Sequence, residues 1–324
     1  MLNPKISVLL PVYNAEAYIA ESVQSILDQT EPDFELLIVD DCSTDNSIEI
    51  LDSFKDPRII VHRKERNSGY TESLNWAIDQ ARGTYIARMD ADDVSLPKRF
   101  EKQLNFLEHH PDVALCGTDA RVEGSSLRFN YPTEPKAIQA NLLLGSSLIH
   151  PSIMGRTEIF KQYKYDPTKE PAEDYDLFTR LVEGGEQLAN LDEALLIYRV
   201  HNNQISKLQQ QKQLASAQQS MLRMFKLFQY RQDFYSDVQV ISWVWPSSSL
   251  QRNVLKAGLA FFEQLENSVH PFSKKMVSKA LRIKRYNLLK TVFIQEGFSK
   301  TKSFFFALRY LGLSHWRQIF KLIH

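Results

Sequence analysis

From Ile6 to about His109, short unbroken apolar runs alternate with segments whose apolar residues recur every three or four positions. ISVLLPV (6–12), FELLIVD (34–40), RIIVHR (58–63) and TYIARMD (84–90) have the length and content of strands buried on both faces. Between them, Ile19, Val23, Ile26 and Leu27 mark a helix within 15–30, and Asp45 is placed to cap a second through Ile48, Leu51 and Phe54. A third helix spans 71–83 and is stopped by Gly83; a fourth runs from Pro97 to about His109. Strands and helices in strict alternation predict an α/β fold, a Rossmann-like, doubly wound and mostly parallel sheet.

After VALCG (113–117) the pattern loosens, and 118–135 reads as short antiparallel strands and turns. A helix is predicted from Glu173–Asp174 to Gly184–Gly185, and a strand over EALLIYRV (193–200). Beyond Ser206 the texture becomes long helical repeats with few glycines. The division predicted is a catalytic domain over 1–206 and an α-helical C-terminal domain over 207–324, basic and aromatic from 271.

Charge sharpens that division. The net charge is zero, yet residues 271–324 hold twelve Lys or Arg against one acid, Glu296. Hydrophobic content of 43% suffices for a large core. The two cysteines, Cys42 and Cys116, lack metal-ligand spacing and fit free thiols in a reducing compartment. The apolar start is too short for a signal sequence, and no run reaches the eighteen apolar residues of a spanning helix. The expectation is a cytoplasmic protein, with contact at the inner face of the membrane left open.

The chemistry concentrates at strand ends, where open α/β sheets bind ligands. Asp40 and Asp41 follow the second strand; Asp90, Asp92 and Asp93 follow the fourth. Clustered carboxylates repel unless cations or hydrogen-bond donors compensate them. A solvated loop with Asp93 or Ser95 capping the next helix is one reading of DADD. A calcium loop of the EF-hand kind fails, because Ser95 stands where glycine is needed and Pro97 interrupts the loop. Mg2+ or Mn2+ remains, an ion that takes one or two carboxylates and completes its shell from substrate phosphates.

SVLLPVYN (7–14), LLIVDDCSTD (36–45), RNSGYTESLN (66–75), YIARMDADD (85–93), AEDYDLF (172–178) and YRVHNNQIS (198–206) follow in order. Together they resemble the family 2 glycosyltransferases of GT-A fold, and especially bacterial enzymes of lipooligosaccharide and capsule synthesis; the resemblance covers roughly 5–206. It implies that Pro11, Val12 and Tyr13 line the uracil pocket, with Asp41 on the base and Asn67 and Gly69 beneath the nucleotide. Asp90 and Ala91 would contact the donor, Asp90 facing ribose and metal. Asp92 would be the main ligand of a Mn2+ or Mg2+ cofactor, and His201 a second one. Arg88 is read equally as a contact to the donor and as a counter-charge to the aspartates. Asp174 would be the catalytic base, Glu173 would position it or the acceptor, and His150 would line the acceptor side. Acids at a helix start are also what the exposed backbone N–H groups favour, and a lone histidine after a strand is most often structural.

The resemblance implies an inverting transfer from a UDP-sugar, UDP-GlcNAc or UDP-Gal, to a hydroxyl of a saccharide or lipid-linked glycan acceptor in cell-surface polysaccharide synthesis. Two rivals stand beside it. A sugar-phosphate nucleotidyltransferase would need a glycine-rich, basic phosphate loop after the first strand, which VYNAEAY does not supply. A non-catalytic sugar-nucleotide-binding protein would dispense with Asp92 or Asp174, and both are present. The tail 271–324 reads either as a solvated helical face or as a surface for anionic membrane lipids. No nucleic-acid motif occurs.

Overall fold

A computed structural model describes residues 3–201, 204, 208–228, 236–244, 252–268 and 270–296. The described residues fall into two compact units, 1–138 with 146–217, and 139–145 with 218–324.

The first unit is built on one eight-stranded sheet, ordered β3-β2-β1-β4-β7-β6-β8-β5. β1 (Ile6–Val12), β2 (Phe34–Asp40), β3 (Ile59–Arg63) and β4 (Tyr85–Arg88) are all parallel. Every residue of β2 is buried, which is why its sequence carries no alternation. β5 (Val94–Ser95) and β7 (Met154–Arg156) run antiparallel to their neighbours, while β6 (Val113–Val122) and β8 (Gln187–Tyr198) pair in parallel. The carboxyl ends of β1, β2, β4, β6 and β8 therefore share one edge. Strand order reverses between β1 and β4, the place where such sheets open a crevice.

Helices α1 (Ile19–Leu27), α2 (Ser47–Ser53), α3 (Tyr70–Gln80), α4 (Arg99–His109), α5 (Pro135–Asn141), α6 (Thr157–Tyr163) and α7 (Glu173–Glu183) connect the strands. The α/β reading holds, and four details of it change. β6 continues straight through Val122, so 118–122 belongs to a long strand, and a single antiparallel bridge, Arg121 to Arg128, marks the turns after it. β8 begins six residues earlier than 193 because β6 pairs with it from Val113 opposite Gln187 onward. Gly83 does not stop α3, which ends at Gln80. A Cβ at Gly83 would sit 2.6 Å from the Ser7 backbone nitrogen, and the Ser7 hydroxyl accepts the Gly83 N–H. Neither Asp93 nor Ser95 caps α4: Asp93 is buried at the sheet edge and Ser95 lies in β5.

The second unit contains α9 (Asp237–Val244), α10 (Arg252–Asn267) and α11 (Lys274–Glu296), with α8 (Gln210–Lys226) spanning the division. Phe225, Phe228, Trp243, Phe261, Phe262 and Leu288 form its buried centre. Gly258 lets Trp243 and Leu288 close in, since a Cβ there would meet both at 2.8 Å. Lys274, Lys275 and Lys279 are exposed on α11, whereas Lys284 is buried and donates to the Leu144 carbonyl at 3.3 Å. Of the basic tail, 297–324 lies outside the described residues, as do 202, 203 and 205–207 of YRVHNNQIS. No helix among the described residues is long and apolar enough to cross a membrane.

Candidate functional site

Two loops at the carboxyl edge are locked together by residues in the left-handed region. Asn14 (φ 49°) follows β1 and Cys42 (φ 66°) follows β2, a conformation that costs a non-glycine residue free energy and persists only when neighbours enforce it. Here the Asn14 N–H donates to Ser43 Oγ at 3.0 Å, and the Thr44 N–H returns to Asn14 Oδ1 at 2.8 Å. Pro11 and Val12 end β1 inside the sheet, while Tyr13 projects at 51% exposure.

Asp41 is buried and engaged. Its two oxygens accept the N–H groups of Ser68 (2.9 Å) and Gly69 (2.8 Å), and Lys64 Nζ lies 2.6 Å from it. The carboxylate thus holds the 66–69 loop, in which Asn67 is exposed beside an open hollow of about 650 Å³ lined by His62, Arg63, Lys64, Glu65, Arg66 and Ser68. Gly69 has φ 96°, and a Cβ there would lie 3.0 Å from the Glu170 carboxylate. The backbone geometry demands glycine, and a Cβ would also press on the Glu170 carboxylate.

The acidic cluster sits across the crevice, after β4. Carboxylate oxygens of Asp90, Asp92 and Asp93 all lie within 4.8 Å of one another, and Asp93 Oδ2 is buried with no hydrogen bond. Burial first, then Asp90 and Asp92, holds the Asp93 carboxyl well above the usual range. An orphaned buried carboxylate oxygen beside two more carboxylates is a donor set that fits a hard divalent cation. His201 Nε2 stands 2.9 Å from Asp92 Oδ2, its ring stacked on Tyr18 at 4.9 Å. Ser22 Oγ donates to the Asp90 carbonyl at 3.0 Å, and Ala91 is half-buried between the acids.

Arg88 is 4% exposed, and its Nη1 lies 2.5 Å from Asp90 Oδ2, off the line of a hydrogen bond; its Nε finds no acceptor. Arg88 thus sits as a counter-charge against Asp90. A residue that the motif concealed holds the cluster from the other side. Arg199, also buried, donates its backbone N–H to Asp93 Oδ1 (2.9 Å) and Nη1 to the Asp92 carbonyl (3.2 Å), and pairs with Glu21 and Glu123.

The second carboxylate group opens α7, where unpaired backbone N–H groups favour acids. Asp174 is half-buried; one oxygen accepts the Tyr175 N–H at 2.6 Å, and the other has no hydrogen bond among the described residues. Burial raises its carboxyl above the ordinary value. Glu173 is 3% exposed and accepts the Tyr70 hydroxyl at 2.7 Å. Burial and the Asp174 charge push it up to about 8. His150 lies 3.6 Å from Glu173 and 2.7 Å from the Tyr165 hydroxyl. Burial and Arg88 keep it neutral, so the contact with Glu173 is no ion pair. Asp176 is buried against Arg180 (2.7 Å), which in turn anchors the Tyr163 and Lys164 carbonyls.

The edge therefore assembles Tyr13, the Asp41-held loop, the Asp90–Asp92–Asp93 cluster with His201, and the Glu173–Asp174 pair with His150. Tyr70, Glu170 and Arg199, which tie these parts together, escaped sequence reasoning. Tyr70 and Arg199 lay inside quoted motifs, and only their long-range partners reveal them.

A doubly wound sheet of this kind binds its ligands at the carboxyl edge, where the carboxylate clusters stand. The sequence model of glycosyl transferase family 2 matches residues 7–171, and the chain belongs to that family. It is 36% identical over 223 residues to the uncharacterized glycosyltransferase MJ1057 of Methanocaldococcus jannaschii, an alignment covering 65% of this chain and 77% of that one. It is 32% identical to the O-antigen biosynthesis glycosyltransferase WbnJ of Escherichia coli, across 62% of this chain and 82% of that protein. The fold matches residues 1–349 of S. aureus TarS in complex with UDP at a TM-score of 0.57, with 21% identity, covering 91% and 92% of the two chains. The relatives thus include enzymes of cell-surface polysaccharide biosynthesis.

Proposed function

We propose that this chain is an inverting glycosyltransferase that moves a sugar from a UDP-sugar, UDP-GlcNAc or UDP-Gal, to a hydroxyl of a saccharide or lipid-linked glycan. The observation that carries the reading is the pairing, on one sheet edge, of a three-carboxylate cluster with an orphaned oxygen and a half-buried Asp174 with a free one. Tyr13, exposed at the end of β1, is available to the uracil face, and the 66–69 loop pinned by Asp41 lies beneath the nucleotide. Because both Asp41 oxygens already hold that loop, its part in nucleotide binding is chiefly to shape the loop.

Asp92 and Asp90, with His201, would hold the divalent cation, and Asp93 stands close enough to join them. When bound, Mn2+ or Mg2+ supplies neutralisation of the charge that builds on a leaving diphosphate. Arg88 balances Asp90 from within the sheet, and Arg199 fixes the Asp92–Asp93 backbone. Asp174 removes the proton from the acceptor hydroxyl as it attacks the anomeric carbon, a contribution of roughly 10²–10⁴-fold. Glu173, held by Tyr70 and beside neutral His150, positions that base.

Catalysis is assigned to 1–206. The helical region that follows, through the exposed lysines of α11 and the tail, docks on anionic lipid at the inner face of the membrane. The test is a panel of UDP-sugars with purified protein and Mn2+, reading UDP release. Turnover of at least one donor that vanishes in Asp174→Asn is expected; a protein that binds no UDP with Mn2+ present refutes the reading.

A further inference from the structure

Where β6 and β8 reach the carboxyl edge lies a run of aromatic side chains that no role above uses. Phe129 stands 5.9 Å from Tyr131 and 5.5 Å, edge to face, from Tyr198. All three rings are half-buried: their inner sides rest on the sheet's core, and part of each remains open. Their backbone is rigidly held. Buried Asp119 accepts the N–H groups of Phe129 (3.1 Å) and Asn130 (3.3 Å) and pairs with Arg128 at 2.6 Å. The Asn190 side chain donates to the Pro132 carbonyl at 2.8 Å, and the Glu123 N–H donates to the Tyr198 carbonyl at 2.9 Å.

Tyr198 ends β8 at the carboxyl edge, one residue before Arg199, whose backbone N–H donates to Asp93 Oδ1. After burial, the charge that most raises the Tyr131 phenol is Asp174; for Tyr198 it is Asp90, followed by Asp93 and Asp92. Among the described residues neither phenol hydroxyl makes a hydrogen bond, although a half-buried tyrosine normally finds a partner for its O–H. A packing role accounts for the rings and assigns no task to either hydroxyl.

Pyranose rings present C–H groups on one face and hydroxyls around the rim. Aromatic faces attract polarised C–H groups, and binding sites combine such apolar walls with a few directed polar atoms. We propose that Phe129, Tyr131 and Tyr198 form the wall on which the pyranose ring of the saccharide acceptor stacks, the Tyr131 and Tyr198 hydroxyls bonding its rim. The ring would be held with one hydroxyl toward Asp174. This inference rests on the glycosyltransferase reading, since it takes Asp174 as the base.

Saturation-transfer NMR on the full chain with UDP and Mn2+ tests it, irradiating aromatic protons and observing methyl β-D-glucopyranoside and methyl β-D-galactopyranoside. Transfer to the ring C–H protons of at least one probe is expected. Phe129→Leu should cut it at least fivefold while UDP affinity in Mn2+ stays within about twofold. Tyr131→Phe keeps the ring, and so guards against a folding defect; it should keep the pattern of saturated protons but weaken the probe's affinity several-fold. A wild-type protein that binds UDP but saturates neither sugar overturns the wall, as does transfer indifferent to both substitutions. Failure to bind UDP at all would instead bring down the nucleotide-sugar reading beneath it.

Discussion

Glu173 should work as a neutral acid, and Glu173→Gln isolates that property. It is buried, its carboxyl is pushed up to about 8, and burial is the largest cause, followed by the adjacent Asp174. A carboxyl raised in the fold stays protonated there while the unfolded chain releases its proton near the ordinary value of 4.5. Between those values the folded state binds more protons, so this group's contribution is most favourable at low pH and is lost as pH rises from about 4.5 to about 8. The slope for one proton is about 1.4 kcal/mol per pH unit, so from pH 5.5 to 7.5 the ceiling is about 3 kcal/mol. Glu173 and Asp174 titrate as a pair, and a share of that ceiling belongs to Asp174.

Gln copies the neutral acid's shape, and its carbonyl can still accept the Tyr70 hydroxyl. Comparing wild type with the Gln variant cancels the buried acids that do not interact with Glu173; Asp174, which titrates with it, does not cancel. The Tm of Glu173→Gln minus that of wild type should therefore grow with pH, by up to about 6–12 °C between pH 5.5 and 7.5 at roughly 2–4 °C per kcal/mol. At pH 6.5 the Gln variant should retain kcat within about threefold of wild type, whereas Glu173→Ala should lose about 10²-fold as the base is misplaced. Melting curves and initial rates across pH 5–9 measure both. A Tm difference flat with pH, or a Gln variant as inactive as the Ala variant at pH 6.5, would refute a neutral Glu173.

Asp174→Asn should preserve Mn2+-dependent UDP binding and lower transfer by about 10²–10⁴-fold, so calorimetry and UDP release should separate cleanly. Asp92→Ala should weaken UDP binding at least tenfold in Mn2+ and leave metal-free binding unchanged; equal affinities in the two proteins with Mn2+ would contradict a ligand role. Gly69→Ala forces φ 96° on a residue with a Cβ and presses on Glu170, which should cost about 1–3 kcal/mol in urea unfolding. Reversing exposed Lys274, Lys275 and Lys279 to Glu should reduce sedimentation with phosphatidylserine vesicles at least tenfold at low salt, given about 1 kcal/mol per basic residue near such a surface. Unaltered sedimentation would count against a lipid contact through α11.

What the sequence revealed divides by the range of the forces involved. β1, β2 and β4 were legible because double burial leaves an unbroken apolar run, and the acid clusters were legible because each is contiguous. Gly83 shows the converse. As a helix stop it was a local reading, while its real constraint is the Ser7 backbone, 76 positions away. Asp93 looked like the start of a helix because the Arg199 N–H that it accepts lies 106 residues further on. β6 was cut short for the same reason, since its last residues are held by β8 rather than by their own pattern.

That distinction bears on how the site acts as a unit. Each contiguous motif delivers one reactive group, and the bonds between motifs set where those groups stand. The 66–71 segment is gripped by Asp41 on one side and by Glu170 and Glu173 on the other, through Ser68, Gly69, Thr71 and the Tyr70 hydroxyl. A nucleotide that shifted this loop would therefore pull on the start of α7, and with it on Asp174. Arg199 stands in the same relation to the other pole. Its side chain joins Glu21, Glu123 and the Asp92 carbonyl, so displacement of the strand end that carries His201 is felt at once by the acid cluster. The 66–71 loop is thus tied to the start of α7, and the acid cluster to the residue after β8. Substituting Tyr70 or Arg199 should accordingly disturb turnover more than stability, the opposite of what burial alone would lead one to expect.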